Sequence, residues 1–252
     1  ISELESTFVD FSKLVPDSNN LLFKTGLPLE GKTVSATENA DFEARNVRIE
    51  NGSYVFDLKT PSEEIKDLQF HLPGRHNMFN AVTALGMAIL VGAPIDCLPN
   101  ALQNFKGGKR RFSYKIKTND FVLIDDYAHH PTELNAVENS IREMYPNEKG
   151  LAVFQPHLFS RTKDFGTEFA KSLSRFDEVI LLEIYPAREE SIEGISSKWL
   201  LDKIANENKK IVAKKDLFIE VKNSNCKVKL MVGAGDIGVE VESITKYLKD
   251  ED

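Results

Sequence analysis

Up to residue 72 the apolar residues come in short alternating runs broken by turn formers: Leu21-Leu22-Phe23-Lys24, Ala44 to Glu50, Ser53 to Leu58 and Leu68-Gln69-Phe70-His71-Leu72. Alternation with period two marks strands that cover one face. Asn51-Gly52 stands between Val47-Arg48-Ile49-Glu50 and Ser53-Tyr54-Val55-Phe56, and because both turn residues tolerate positive φ the pair predicts a tight hairpin. This stretch is expected to be mostly β. From Asn77 to Val91, Phe79, Val82, Leu85, Met87 and Ile89 sit among alanines with no breaker before Gly92, which predicts a buried helix. Leu98 to Phe105 predicts a second, short one.

Lys106-Gly107-Gly108-Lys109 reads as a hinge, since adjacent glycines destabilise the interior of a helix or strand. It divides the chain into residues 1–106 and 107–252. Past it, strand-like and helix-like segments alternate: Phe121 to Tyr127, Pro131 to Tyr145, Leu151 to Gln155, Thr162 to Ser174, Glu178 to Tyr185, Ser197 to Asn206, Lys209 to Ala213, Val228 to Val232 and Ile237 to Lys249. Such alternation predicts an α/β domain with a parallel, doubly wound sheet, whose ligands gather at the carboxyl ends of the strands.

Composition narrows the function. The 252 residues carry 32 Lys plus Arg against 39 Asp plus Glu, a net charge of −7, which speaks against nucleic acid held mainly by an overall field. No run of about eighteen apolar residues is present, so no membrane insertion is expected. Two cysteines, Cys97 and Cys226, exclude a disulfide framework and a four-cysteine zinc site and fit a reducing compartment, the cytoplasm by default.

The candidate chemistry lies at the predicted strand ends. Asp125-Asp126-Tyr127-Ala128-His129-His130-Pro131-Thr132-Glu133 packs two carboxylates, a phenol and two imidazoles into six residues, more than capping or packing requires. Gln155-Pro156-His157-Leu158-Phe159-Ser160-Arg161-Thr162 puts a His and an Arg at the start of a helix, where the positive helix end adds to their attraction for a carboxylate. Ser160 or Thr162 is the candidate cap. Before the hinge, Asn77 and Asn80 in Pro73-Gly74-Arg75-His76-Asn77-Met78-Phe79-Asn80 share a helix face and present amides that match the adenine edge. His71, His76, His129, His130 and His157 include no helical His pair with a carboxylate, so no zinc site is expected here. Gly233-Ala234-Gly235-Asp236-Ile237-Gly238 matches a dinucleotide fingerprint but lacks the further strand with its acidic residue, and reads better as a tight strand-to-helix turn offering backbone N–H groups to a phosphate. Gly31-Lys32-Thr33 lacks the upstream glycine of a phosphate loop and reads as a loop.

In order and spacing these strings resemble the Mur ligases. Leu72-Pro73-Gly74-Arg75-His76-Asn77 with Asn80, Gly107 to Phe112, Asp125 to Glu133, Phe154-Gln155-Pro156-His157 and Ile184-Tyr185-Pro186-Ala187-Arg188-Glu189-Glu190 carry the resemblance over nearly the whole chain. His129-His130-Pro131-Thr132-Glu133 favours the alanine-adding branch over the later-acting members. The resemblance implies that residues 1–106 are a partial α+β remnant of a central ATPase domain and residues 107–252 a Rossmann-like ligase domain. It implies ATP and Mg2+ as cofactors, the magnesium ligands lying mostly outside this stretch, and UDP-N-acetylmuramate and L-alanine as substrates joined through an acyl phosphate. Residue by residue, it implies that His76, Asn77 and Asn80 face adenine, Arg111 the ATP phosphates and Asp126 the ribose or nearby nucleotide groups. Tyr127, His129, His157 and Arg161 would form the amino-acid pocket, and Arg111 would act catalytically on the phosphates; beyond the resemblance, His129 is one candidate to assist loss of the amine's proton. Leu158 stands where relatives usually place Arg, removing one expected cation.

Two other activities fit parts of the pattern: a murein tripeptide recycling ligase, and a nicotinamide oxidoreductase built on the Gly233 to Gly238 turn. A non-catalytic scaffold fits less well, given the clustering of Asp126, Tyr127, His129 and His157. Because the Gly-Lys-Thr phosphate loop implied by the resemblance does not occur among these residues, residues 1–252 alone are expected to release no phosphate that depends on both alanine and UDP-N-acetylmuramate. Phosphate release above background in that assay contradicts the expectation.

Overall fold

The computed structural model describes residues 2–50 and 52–250, which divide into two compact units, Ile1–Lys106 and Gly107–Asp252. The first unit runs α1 (Ser2–Ser12), β1 (Leu22–Lys24), β2 (Lys32–Ser35), β3 (Phe42–Glu50), β4 (Ser53–Lys59), β5 (Glu64–Phe70), α2 (Arg75–Leu90) and α3 (Leu98–Gln103). Its strands form one sheet in sequence order. The first three are parallel and the last three antiparallel. Asn51 lies outside the described residues, but Glu50 pairs with Ser53 across the expected hairpin.

Three expectations change here. The stretch expected to be mostly β opens with a helix before Leu21, because Leu4, Phe8 and Phe11 recur at helical, not alternating, spacing; all three are exposed. Gly31-Lys32-Thr33 leads into β2 and is not a loop: the Asp41 carboxylate accepts bonds from both the Thr33 N–H and its hydroxyl at 2.8 Å, holding the strand start. Helix α2 begins at Arg75 and buries only one side, with Met78, Ala81, Val82, Leu85 and Gly86 inward while Met87 is exposed. Gly86 lets it close on the sheet, where an added Cβ would come 3.0 Å from Leu22 and 3.1 Å from Phe42.

The second unit runs β6 (Ser113–Lys117), β7 (Val122–Asp126), α4 (Pro131–Met144), β8 (Gly150–Phe154), α5 (Phe159–Asp164), α6 (Gly166–Leu173), β9 (Glu178–Leu181), α7 (Ser197–Lys203), β10 (Lys209–Ile211), α8 (Leu217–Asn223), β11 (Val228–Val232) and α9 (Ile237–Asp250). The sheet order is β10-β9-β8-β11-β7-β6. All pairs are parallel except the edge strand β6, which runs antiparallel to β7. The alternation seen in sequence is therefore a doubly wound sheet, with β6 and α8 added to the expected elements. The expected helix from Thr162 to Ser174 is two helices, α5 and α6, meeting at Phe165 and Gly166. Gly166 lies so tightly under the Trp199 ring that a Cβ has no room.

Strand residues alternate between two apolar layers. Val122, Ile124, Ala152, Phe154, Leu230 and Val232 pack with α4, α6 and α7, whereas Leu123, Leu151, Val153 and Met231 pack with α8 and α9. Burial of both faces explains why β7, β8 and β11 read as continuous apolar runs. The helices following β7 and β8 lie on one face and the helix following β11, between them, lies on the other. That reversal opens a crevice at the carboxyl ends of these three strands.

In the first unit a bulge in β3, with Asn46 at φ 50°, is held by the buried Asp57. Its carboxylate accepts from Asn46 Nδ2 (2.7 Å), the Asp67 N–H (3.0 Å) and Lys66 Nζ (3.0 Å). Burial alone would raise the Asp57 pKa, but these partners hold it at about 2 against an ordinary 3.8. A depressed folded-state value stabilises the fold fully above the ordinary value and loses that contribution as pH falls through the folded one. Asp57→Asn is expected to destabilise this unit near neutral pH by about 1–3 kcal/mol, with the deficit shrinking as pH falls from about 4 to about 2. Urea unfolding of both forms across that range checks this; a deficit independent of pH contradicts it.

Candidate active site

The site begins with two adjacent carboxylates at the end of β7. Successive strand residues point to opposite faces, so Asp125 and Asp126, both buried, reach different partners. Asp125 Oδ1 accepts from Arg110 Nε at 3.0 Å, and Lys115 Nζ lies 3.7 Å from Oδ2. Asp126 Oδ2 accepts the Phe112 N–H at 2.7 Å and Oδ1 the Ala128 N–H at 2.8 Å. Burial is the main reason its carboxyl pKa lies above the usual range, against these two bonds and the Arg111 charge. Each Asp126 oxygen thus accepts one bond from the chain's own backbone and keeps capacity for a second, so the ribose contact implied by the resemblance would share the carboxylate with this clamp. Arg111, between the two clamped residues, is exposed.

Tyr127, His129 and His130 continue from the strand end. His130 caps α4: its Nδ1 accepts the Thr132 N–H, and Glu133 accepts the N–H groups of His129 (2.8 Å) and His130 (3.2 Å). Its ring packs edge-on against Phe165, so its role is structural. His129 differs, because its Nδ1 lies 2.9 Å from the Tyr127 carbonyl oxygen. A carbonyl only accepts, so a proton sits on Nδ1, which leaves Nε2 as the lone-pair nitrogen of the neutral imidazole. The Tyr127 and His129 rings meet edge-on, 5.3 Å between centroids.

At the end of β8, His157 lies 6.3 Å from His129 and stacks on Tyr185 at 5.8 Å, held by a bridge between the two backbones. Its Nδ1 is buried without a hydrogen-bond partner. Burial first, then the Arg161 guanidinium and His129, push its pKa below the usual 6.5. Leu158, at φ 70°, precedes α5 and supplies no cap. Glu189 fills that place instead: its carboxylate accepts from the Ser160 N–H (3.0 Å) and hydroxyl (2.5 Å), and these bonds lower its pKa. The positive end of α5, expected to attract a substrate carboxylate, is therefore already occupied by a side chain of the chain itself. Thr162 does not cap either; its hydroxyl donates to the Leu158 carbonyl. Arg161 forms no side-chain bond among the described residues and remains the cation beside His157.

The glycine turn after β11 is filled by protein. Gln155, 1% exposed, donates to Asp236 at 2.8 Å and accepts the Ile237 N–H at 2.9 Å. A Cβ on Gly233 would sit 2.6 Å from the Gln155 carbonyl oxygen, and Gly235 abuts the Gln155 amide and Tyr185. Asp236 is further tied to Lys214. The glycines accommodate Gln155, Tyr185 and the Arg110 guanidinium, which lies 3.1 Å from a Cβ placed on Gly238. The turn therefore offers neither the phosphate contact through the Ile237 N–H nor the open groove of a dinucleotide site.

The structure thus brings Tyr127, His129, His157 and Arg161 together and places Arg111 beside the Asp126 clamp. In the first unit, His76 and Asn80 are exposed on the side of α2 away from its buried residues, while Asn77 donates to the Pro73 carbonyl at 2.6 Å. Sequence reasoning missed Arg110, Gln155, Tyr185 and Glu189 as builders of the site. The tandem Arg110-Arg111 after the hinge and the Tyr185 to Glu189 string were the available signals. A polar cleft of about 600 Å3 lies at the opposite, amino ends of the strands near Lys149, Glu178, Lys210 and Cys226; none of the expected site residues lines it. No helix among the described residues is long and apolar enough to cross a membrane.

A doubly wound α/β unit with polar groups converging on its switch point defines a ligand-binding class of fold. The sequence model of the Mur ligase glutamate ligase domain matches residues 110–236, and the chain belongs to the Mur ligase family. It is similar to the UDP-N-acetylmuramate–L-alanine ligase of Christiangramia forsetii, 61% identical over 250 residues that cover 99% of this chain and 55% of the relative. The enzyme of the same name from Flavobacterium psychrophilum is 57% identical over 248 residues, 98% of this chain and 55% of that relative. A crystal structure of UDP-N-acetylmuramate–alanine ligase from Thermotoga maritima superposes with a TM-score of 0.72 at 25% identity, covering 88% of this chain and 48% of that one. The chain spans about half the length of these relatives.

The burial of His157 has a measurable consequence. By nitrogen-15 NMR, His157 is expected to titrate below its ordinary value of 6.5. A His157 midpoint at or above that value contradicts the geometry.

Proposed function

We propose that this chain forms part of an ATP-dependent ligase that joins L-alanine to UDP-N-acetylmuramate in peptidoglycan precursor synthesis. The observation that carries the reading is the row Tyr127, His129, His157 and Arg161 at the crevice between β7 and β8, with a lone pair on His129 and a cation beside His157. The similarity to alanine ligases over nearly the whole chain supports it.

In this reading the γ-phosphoryl group of ATP passes to the lactyl carboxylate of UDP-N-acetylmuramate, giving an acyl phosphate and ADP. The alanine amine then attacks the acyl carbon, and phosphate leaves. Phosphoryl transfer asks a protein for positioning and charge neutralisation, which the exposed, uncommitted Arg111 supplies toward the phosphates. Arg161 attracts the alanine carboxylate, helped by a His157 kept neutral by burial, while Tyr127 walls the pocket. The amine must shed a proton to attack, and His129 Nε2 is the acceptor. His76, Asn77 and Asn80 are the proposed adenine contacts of the first unit. Asp126 is the proposed contact to the ribose or nearby nucleotide groups and, through Phe112 and Ala128, holds Arg111 in place. The described residues contain no group of three side chains suited to a metal ion, so magnesium is assigned no ligand and no step here.

His129→Gln in the complete ligase is expected to lower kcat by about 10²-fold or more and to change its pH profile, with the KM for ATP little changed. Unchanged turnover and an unchanged pH profile contradict the role of His129. Product formed with a tripeptide and not with alanine contradicts the choice of substrate.

A further inference from the structure

Arg110 carries no role in the scheme above, yet it is the most heavily engaged side chain of the site. Its Nε meets the buried Asp125 at 3.0 Å, and its Nη2 donates to the Gly233 carbonyl oxygen at 2.6 Å. Its guanidinium lies over the Tyr127 ring, 5.1 Å from the centroid, and its own carbonyl accepts the Tyr127 N–H at 2.8 Å. The guanidinium packs against Gly238, where an added Cβ would lie 3.1 Å from it. One residue therefore ties together the segment after the hinge, the end of β7, the end of β11 and the aromatic wall of the pocket.

The backbone around it is strained. Arg110 sits at φ 55° and Phe112 at φ 46°, a region that non-glycine residues occupy only when surrounding bonds hold them there. For Phe112 that bond is the one from its N–H to Asp126, and for Arg110 it is the guanidinium's grip on Asp125 and Gly233. Arg111 lies between these two residues, so its direction is set by both clamps.

We propose that Arg110 is a positioning residue that fixes Tyr127 and Arg111 together, coupling the amino-acid pocket to the phosphate-facing cation. This rests on the ligase reading for its functional consequence, though the mechanical coupling stands on the geometry alone. Lysine cannot replace it. A single ammonium lacks the planar fork that reaches Asp125 and Gly233 at once while lying flat on a ring, and Lys115 already stands near Asp125 to balance its charge in the variant.

Two measurements separate the coupling from the ligase reading. In the 252-residue chain, the Arg110 Nε–H resonance is expected to be slowly exchanging and shifted upfield by the Tyr127 ring; Tyr127→Leu should abolish the shift and leave the exchange slow. A resonance that does not respond to Tyr127→Leu overturns the coupling. In the complete ligase, Arg110→Lys is expected to raise the KM for alanine and for ATP together and to lower kcat by about tenfold or more, with the fold retained by circular dichroism. Arg110→Gln should behave alike, since the effect belongs to the fork and not to the charge. Kinetic constants within about twofold of the parent for both variants, or a change confined to one substrate, overturn the proposal. A parent ligase that forms no alanine product, with the NMR coupling intact, instead counts against the ligase reading.

Discussion

Two acidic side chains that are neighbours in sequence cannot point the same way from a strand, and this site is built on that constraint. Asp125 and Asp126 end β7 with carboxylates on opposite faces, one binding the Arg110 side chain and the other the Phe112 backbone. The segment entering the domain is held at alternate residues, and Arg111 is left between the holds. Losing either carboxylate frees a residue with positive φ to relax, so the strand end and the entering segment stand or fall together.

The remaining site geometry follows from the parallel sheet. With β11 inserted between β7 and β8 and its helix on the opposite face, the segments leaving the three strands diverge and open a crevice. Gln155 closes the bottom of that opening by capping α9, and Glu189 closes its side by capping α5. What stays open is the row from Tyr127 through His129 to His157, with Arg161 beside it. On the proposed reading this row, with its one uncommitted guanidinium, takes a carboxylate-bearing amine, and Arg111 faces the phosphates.

The second unit was largely legible in the sequence because burial on both faces removes ambiguity. Val228 to Val232 is a strand at the expected residues, and Pro131 to Met144 is a helix within the expected Pro131 to Tyr145. The edge strand Ser113–Lys117 was not legible, since its residues are half exposed and carry no clean alternation. In the first unit, Lys32 to Ser35 went unrecognised because its pairing depends on Asp41, a side chain eight residues from Thr33. Among candidate site residues, Tyr127, His129, His157 and Arg161 stood out because unlike chemistry clusters at strand ends. Arg110, Gln155 and Glu189 did not, because their importance lies in contacts spanning 123, 82 and 29 residues, which no local pattern records. The glycine turn misled for the same reason: its glycines answer to the distant Gln155, Tyr185 and Arg110, not to a ligand.

The most direct test is a crystal structure of the complete ligase with alanine and a non-hydrolysable ATP analogue. Alanine should lie in the crevice between the ends of β7 and β8, its carboxylate beside Arg161 and its amine within hydrogen-bond reach of His129 Nε2, with the Arg111 guanidinium on a phosphate oxygen. Alanine bound elsewhere, or Arg111 turned away from the phosphates while Asp125 and Asp126 keep their partners, would contradict this picture of the site.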